Sequence, residues 1–261
     1  MARAVWRLII DGRVDGALNM AIDRTLLEAR AEGSSPPTLR LYRWRVPTVT
    51  LGRFQPLEQV DLAACARHGF DVARRPTGGR GVLHDDELTY AVTAALADGV
   101  PRGVTASYTR LSAALAQAYR SLGVPAELTA RPRGERGAGA CYLHATQADL
   151  SLGAAKLSGS AQVWKDDAVL QHGSFVISRD AAAEADVFLL GSRQAEALRT
   201  ATATLESALG VAPGYDDVAE AVRAAFAGAL EIDLEPGTLT AAEEGEARSS
   251  APRHAVRAVP A

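Results

Sequence analysis

Residues 73–92, ARRPTGGRGVLHDDELTYAV, gather three glycines, an arginine pair, a lone arginine, a histidine and two aspartates. Glycines lack the Cβ that keeps other residues off a ligand, and they reverse the chain at positive φ without strain. Arginines beside them suit an anion. The spacing matches neither the P-loop pattern nor GxGxxG, so no familiar phosphate motif is present, and a tight hairpin with its arginines facing water explains the turn equally well on its own. His84, followed by Asp85 and Asp86, reads as a hydrogen-bonding histidine rather than a metal ligand, because no second cluster with ligand spacing accompanies it.

Lysine usage adds a second signal. Of 28 basic residues only Lys156 and Lys165 are lysines. Lys165 sits in WKDDA, an ordinary charged hairpin end, whereas Lys156 sits in GAAKLSGSAQ among small residues that leave room for a substrate. A lysine is a compact, movable point charge that arginine does not replace. The two cysteines differ in the same way. Cys65 in LAACARHG has the pattern of an inert, buried helix thiol, and Cys141 ends the loop GAGAC, where a thiol is accessible. A thiol of reference pKa near 8.5 needs a neighbouring cation to ionise at neutral pH. Lys156 is one candidate for Cys141, and His144, in a Cys-x-x-His spacing, is a less favoured rival, since i and i+3 point to opposite faces of an extended segment.

These residues must be positioned by a mixed set of elements. Leu18, Ile22, Leu26 and Ala29 recur at helical spacing between Asp15, a candidate N-cap, and Gly33, a stop signal. TLRLYRW and TVTLG are short strands, Leu57 to His68 a short helix ending at Gly69, and FDVARR and ELTYAVTA strands that flank the glycine turn. Tyr108, Leu111, Leu115, Ala118 and Leu122 mark a second long helix; AELTA is a candidate strand, ADLSL, KLSGSAQVWK and VLQHGSFVIS form a meander, and alanine-rich helices cover roughly Gln194 to Leu209 and Val218 to Leu230. Beyond Pro236 apolar weight collapses, so residues 237–261 are expected to form a disordered tail. With no internal repeat and no second hydrophobic core legible, the expectation is an α/β (α+β) fold with a single catalytic domain over residues 1–236, built on a mixed, largely antiparallel sheet flanked by helices.

Composition narrows the classes. The chain has 261 residues, is 48% hydrophobic and 23% charged, and carries no apolar run long enough for a membrane span or a signal peptide, which predicts a cytoplasmic protein. Two cysteines are too few for a disulfide framework. From Arg40 to Asp85 eight arginines face four acidic residues, a basic stretch in a chain of net charge −3. Taken singly, Arg40 and Arg67 are best explained as solvated surface charges. With aromatics at 5% and no basic block, nucleic acid is a poor ligand and a compact anionic partner a better one.

Together, RRPTGGRGVLHDDELTYAV, GAAKLSGSAQ and LQHGSFVIS, preceded by LNMAIDRTLL, resemble the biotin/lipoate protein ligase and lipoyl-transferase superfamily from about Trp6 to Leu234. The nearest likeness is to the cysteine-dependent octanoyltransferase branch of the lipoate-protein ligase A group, in which a loop cysteine carries the acyl group; Cys141 stands fifteen residues before Lys156, as that motif requires. The resemblance implies transfer of an octanoyl group from acyl carrier protein to a lysine of lipoyl domains of 2-oxoacid dehydrogenase or glycine cleavage proteins, through a thioester on Cys141 stabilised by Lys156, with no cofactor, metal, nucleic acid or membrane. It further implies that Arg75, Thr77, Gly78, Gly79, Gly81, His84, Ser158, Gly159 and His172 line the acyl or carbonyl site. From charge rather than resemblance, the arginine-rich stretch is expected to receive the acidic carrier. Two other readings compete: an ATP-dependent lipoate-protein ligase acting through lipoyl-adenylate, with Cys141 a bystander, and a non-catalytic lipoyl-domain or acyl-binding module.

Overall fold

The computed structural model describes residues 3–128 and 149–256. Its centre is a six-stranded mixed sheet in the order β10-β11-β6-β2-β1-β12, formed by β1 (Ala4–Val14), β2 (Thr38–Trp44), β6 (Glu87–Ala95), β10 (Ser160–Lys165), β11 (Ala168–Val176) and β12 (Ile232–Pro236). From β10 to β2 the strands run antiparallel, and β1 is parallel to both β2 and β12. Two three-stranded sheets join it. One has the order β4-β3-β5, from β3 (Thr48–Leu51), β4 (Asp71–Arg74) and β5 (Val82–His84); the other is β7 (Glu127–Leu128), β8 (Leu150–Leu152) and β9 (Ala155–Ser158).

Period-two alternation decides what each face of the large sheet carries. Leu39 and Leu41 of β2, Leu88, Tyr90 and Val92 of β6, and Val169 and Phe175 of β11 turn to one face, where α3 (Val104–Ser121) and α7 (Tyr215–Leu230) cover them with Leu111, Leu115, Tyr119, Val222 and Phe226. The opposite parity sends Arg40, Tyr42 and Trp44, Glu87 and Thr89, and His172 and Ser174 to the other face, beneath α1 (Gly16–Ala31). The functional side of the sheet is therefore polar and buried, and its register places Thr89 opposite Ser174 and Glu87 opposite Val176. A smaller apolar cluster of Val49, Leu51, Ala64, Cys65, Val187 and Phe188 fills the space between the β4-β3-β5 sheet, α2 (Leu62–His68) and α4 (Ala181–Val187), a second core that the sequence pattern did not reveal.

Several expectations are corrected. The strand that leaves the glycine turn is β5, unmarked in the sequence, and ELTYAVTA follows it as β6; β4 and β5 each pair with β3, so the turn is a crossing between two strands of one sheet and the hairpin alternative fails. KLSGSAQVWK divides at Gly159 into β9 and β10, which belong to different sheets. Residues 237–256 are ordered rather than a frayed tail: α8 (Ala241–Ser250) buries Ala247 against Ala21, Ile22 and Leu26, the α1 stripe that the sequence exposes as needing a cover. Its capping box joins Thr240 and Glu243, and the Glu243 carboxylate takes both outer nitrogens of Arg7 at 2.8 Å and the Ser35 hydroxyl at 2.8 Å. The chain then runs back along β4, where Arg74 N donates to His254 O and Val256 N to Val72 O. Sequence patterning missed this segment because alanine and glutamate carry little apolar weight, yet small residues are what let two helices approach closely. Among the described residues no helix is long and apolar enough to cross a membrane.

The docking of α8 yields a pH-dependent prediction. Burial alone would push the Glu243 carboxyl up, but Arg7, Thr240 and Ser35 outweigh it and hold the group at about 2, below its ordinary 4.5. A depressed carboxylate stabilises the fold above the unfolded value and loses that contribution as pH falls through the folded one. Glu243→Gln should therefore cost about 2 kcal/mol at neutral pH, and urea unfolding should show the gap from the parent chain closing as pH drops from about 4.5 toward 2.

Candidate active site

The site begins with how α1 is seated. Asn19 and Asp23 lie four residues apart on its buried face, one turn above the other. The Asn19 amide donates to Val14 O and Arg43 O, tying the start of the helix to β1 and β2. Asp23 is fully buried and accepts from Arg40 Nη1 at 2.9 Å, the Tyr42 hydroxyl at 2.9 Å and His172 Nδ1 at 2.8 Å. Burial would raise its pKa, but the His172 hydrogen bond and the Arg40 charge outweigh that and keep it below the ordinary value, so it is an ionised acceptor. Arg40 is wholly buried, with Asp11 at 2.6 Å and Asn19 Oδ1 at 2.7 Å completing its partners. It is not the solvated surface charge that its sequence context suggested. The visible signal was the parity it shares with Tyr42 and Trp44 in an alternating strand.

Two carboxylate–histidine–threonine chains grow from this face. In the first, Asp23 holds His172 Nδ1, and His172 Nε2 lies 2.7 Å from Thr77 Oγ1. Because the carboxylate only accepts, Nδ1 carries the proton and Nε2 receives the Thr77 hydroxyl. Burial, opposed by Asp23, lowers the His172 pKa and keeps the ring neutral at physiological pH. In the second, Glu87 takes His84 Nδ1 at 2.8 Å and His84 Nε2 lies 2.8 Å from Thr50 Oγ1. Burial would push Glu87 up, but His84, Thr89 and Ser174 hold it below its ordinary value. The Trp44 indole donates to Glu87 and Thr89, and its ring stacks on His84 at 4.2 Å.

Arg75 joins the two chains. The residue is 6% exposed; its Nε donates to Thr77 Oγ1 and Gly78 O, Nη1 to Thr50 O, and Nη2 to Gly78 O and Arg80 O. These bonds hold the glycine turn in shape. Gly79 sits at φ 95°, where a side chain would be strained, and a Cβ on Gly52 would collide with the Gly79 carbonyl, so both positions need glycine.

Above this platform lies a cavity of about 220 Å³. Met20, Tyr42, Trp44, Val82 and Ala161 give it apolar walls, and Lys156, Asp149, Arg75, Arg80, His84 and His172 supply polar ones. Lys156 is 6% exposed and its ammonium lies 3.0 Å from Asp149 Oδ2. Its backbone is pinned by bonds to Ala201 O and from Ala203 N, and Gly159 comes so close that a Cβ there would stand 3.1 Å from Lys156 Nζ.

Of the residues singled out in the sequence, Arg75, Gly79, His84, Lys156, Gly159 and His172 converge on this cavity. Thr77, Gly78, Gly81 and Ser158 do not line it. The Thr77 hydroxyl is engaged by Arg75 and His172, Gly78 O accepts from Arg75, Gly81 packs so tightly on the Phe188 ring that a Cβ would collide with it, and the Ser158 hydroxyl donates to Ser174 O. The Thr77 and Ser158 hydroxyls, expected as substrate contacts, serve in this structure as internal braces. Cys141 and His144 lie outside the described residues. Cys65 is buried, and burial pushes its thiol up to about 11, which makes it inert. Sequence reading missed Asp23, Glu87, Thr50 and Asp149, although the Asn19–Asp23 pair inside an apolar helix stripe was a legible signal.

The sequence pattern of the lipoyl protein ligase A/B catalytic domain matches residues 15–227. Among curated proteins, the chain is 38% identical to Octanoyltransferase LipM of Moorella thermoacetica, over 98% of this chain and 97% of that one. It is also 38% identical to Octanoyltransferase LipM of Symbiobacterium thermophilum, over 94% and 93%. Among solved structures, a lipoate-protein ligase A bound with ATP superposes with a TM-score of 0.79 at 25% identity, covering 97% of this chain and 95% of that one. The bipartite lipoate protein ligase of Thermoplasma acidophilum gives 0.76 at 26%, covering 97% and 93%.

The buried charges generate a stability prediction. Asp23→Asn leaves the Arg40 guanidinium buried without its fully enclosed counter-charge and removes the acceptor that fixes the His172 tautomer, so it should cost about 3 kcal/mol or more in chemical denaturation.

Proposed function

The chain belongs to the lipoyl protein ligase A/B catalytic domain family, and from that premise we propose that it is an octanoyltransferase of protein lipoylation working through a thioester on Cys141. It takes the octanoyl group from acyl carrier protein in the cytoplasm and delivers it to a lysine of a lipoyl domain, on a 2-oxoacid dehydrogenase or glycine cleavage protein. The observation that carries the reading is the apolar cavity with a buried ammonium in its wall: Met20, Tyr42, Trp44 and Val82 suit an aliphatic chain, and Lys156 offers a fixed positive charge to the polar end of that chain.

The chemistry balances without ATP. The Cys141 thiolate attacks the donor's thioester carbonyl; the bond to the carrier's sulfur breaks, and that sulfur leaves with the proton Cys141 had lost. The neutral amine of the acceptor lysine then attacks the Cys141 thioester, the carbon–sulfur bond breaks, an amide forms, and one amine proton restores the thiol. Thioester to amide is downhill. Lys156, its position set by Asp149, Gly159 and the backbone bonds of β9, stabilises negative charge on the sulfur and on the tetrahedral oxygen. Assigning the thioester to Cys141 is supported by elimination, since the sequence has two cysteines and Cys65 is buried with a raised pKa.

Intact-mass measurement after incubation with octanoyl carrier protein, without ATP, tests this. A hydroxylamine-labile octanoyl adduct should appear in the parent chain and in Cys65→Ser and vanish in Cys141→Ser, and Lys156→Ala should slow its formation by about a hundredfold. Acyl transfer that requires ATP and free acid would overturn the proposal in favour of a ligase, and no transfer under either condition would favour a binding module.

A further inference from the structure

A second cavity, about 360 Å³, lies next to the acyl cavity and shares Arg75 with it. Among the described residues its walls carry charge almost entirely of one sign. Arg24 and Glu28 of α1 pair with each other at 2.9 Å, which leaves Arg53, Arg74 at the end of β4, Lys165 at the end of β10, and Arg253. Arg74 Nη1 is occupied by the neutral carbonyls of Gly52, Arg53 and Gln55, so no acid offsets it there.

His254 supplies the second observation. The residue is 6% exposed and lines this cavity, its Nδ1 lies 2.8 Å from Arg74 O, and its Nε2 is buried with no hydrogen-bond partner. A carbonyl only accepts, so Nδ1 carries a proton and Nε2 is left with nothing to bond. Burial, partly opposed by the Arg74 carbonyl, lowers the ring's pKa, and Arg24 adds to the lowering while Asp23 and Glu28 oppose it. An unpaired buried nitrogen among four cations is costly. Nε2 has no exposed surface in this structure, so an anion meets it only as the ring tilts toward the cavity; it would then draw a proton onto the ring and convert that cost into a charge-assisted bond.

We propose that this cavity holds the phosphodiester of the donor's phosphopantetheine arm, so that one donor occupies both cavities, phosphate in the basic one and thioester in the apolar one. The inference rests on the octanoyl-transfer reading above. A phosphodiester carried on the acyl chain's own flexible arm can enter a recess beside the acyl cavity and meet Arg53, Arg74 and Lys165 there, whereas carboxylates on a folded partner would stop at the exposed rim around Arg253. The residues that complete the cavity, Arg253 and His254, come from the C-terminal segment that packs along β4.

The test compares donors that differ only in phosphate. In the full-length protein, the His254 ring is followed by NMR during titration with 4′-phosphopantetheine and with pantetheine, and transfer is measured from the octanoyl thioesters of both. The phosphorylated compound should shift the Nε2 signal and raise the ring's pKa, and pantetheine should do neither. Arg253→Glu and Lys165→Glu, both at solvent-reachable positions, should each lower kcat/KM about tenfold with octanoyl-phosphopantetheine and leave octanoyl-pantetheine unchanged. Equal losses with both donors, no response of His254 to either compound, or losses confined to the intact carrier protein would overturn the proposal. A His254 response to phosphopantetheine in a protein that transfers from no donor would support the phosphate site while overturning the transferase reading.

Discussion

One guanidinium governs the geometry of this protein. Arg75 is drawn inside the fold, where oxygens of Thr50, Thr77, Gly78 and Arg80 accept from it. A buried charge is tolerated only when its donors are well matched, and removing a partner exposes the full cost of desolvation. The glycine turn is therefore not free to flap: its carbonyls are among the acceptors that make burial of Arg75 possible. Through Thr77 and Thr50 the same group reaches the two histidines, and through them Asp23 and Glu87 on α1 and the large sheet. Small sheet, turn, central sheet and first helix are locked as one polar unit, and the cavity is the space that unit leaves.

That arrangement separates holding from reacting. The histidines and threonines spend their hydrogen bonds on each other and on the carboxylates behind them, which makes them positioning groups. Lys156 stands apart, on a different sheet, reaching the cavity from β9 with its ammonium beside Asp149. A preorganised cation needs no reorganisation when charge develops on a substrate, and its value rises as water is excluded. The C-terminal segment extends the same logic beyond the cavity, since one stretch of chain both covers the apolar stripe of α1 and carries two basic side chains to the neighbouring recess.

Much of this was legible in the sequence, and the failures have physical causes. Strong periodicity located α1, α3, β2, β3, β4, β6 and β11, because Leu, Ile, Val and Tyr at period 3.6 or 2 report burial directly, while β1, β5 and β12 were not read as strands. The glycine turn, Lys156 and His172 were recognisable from residue type and from the likeness of their neighbours to a known family. Arg40 was misjudged because a buried arginine is rare and its partners, Asp11, Asn19 and Asp23, are 17 to 29 residues away in sequence. The pairing of β4 and β5 with β3 was hidden, since strand order is set by tertiary packing and adjacent strands in sequence invite a hairpin. Residues 237–256 looked disordered because their few apolar side chains are mostly alanine; their place is set by the Arg7–Glu243 pair and by a helix face elsewhere that lacked a cover.

A crystal structure of the protein carrying an octanoyl thioester tests the central claim most directly, namely that the Arg75-braced cavity is where the acyl chain resides and Lys156 is the cation that meets its carbonyl. The account predicts the aliphatic chain between Met20, Tyr42 and Trp44, the thioester oxygen within hydrogen-bonding distance of Lys156 Nζ, and Arg75 still bonded to Thr50, Thr77 and the turn. An octanoyl chain lodged elsewhere, or a carbonyl remote from Lys156 with the glycine turn opened around it, would contradict it.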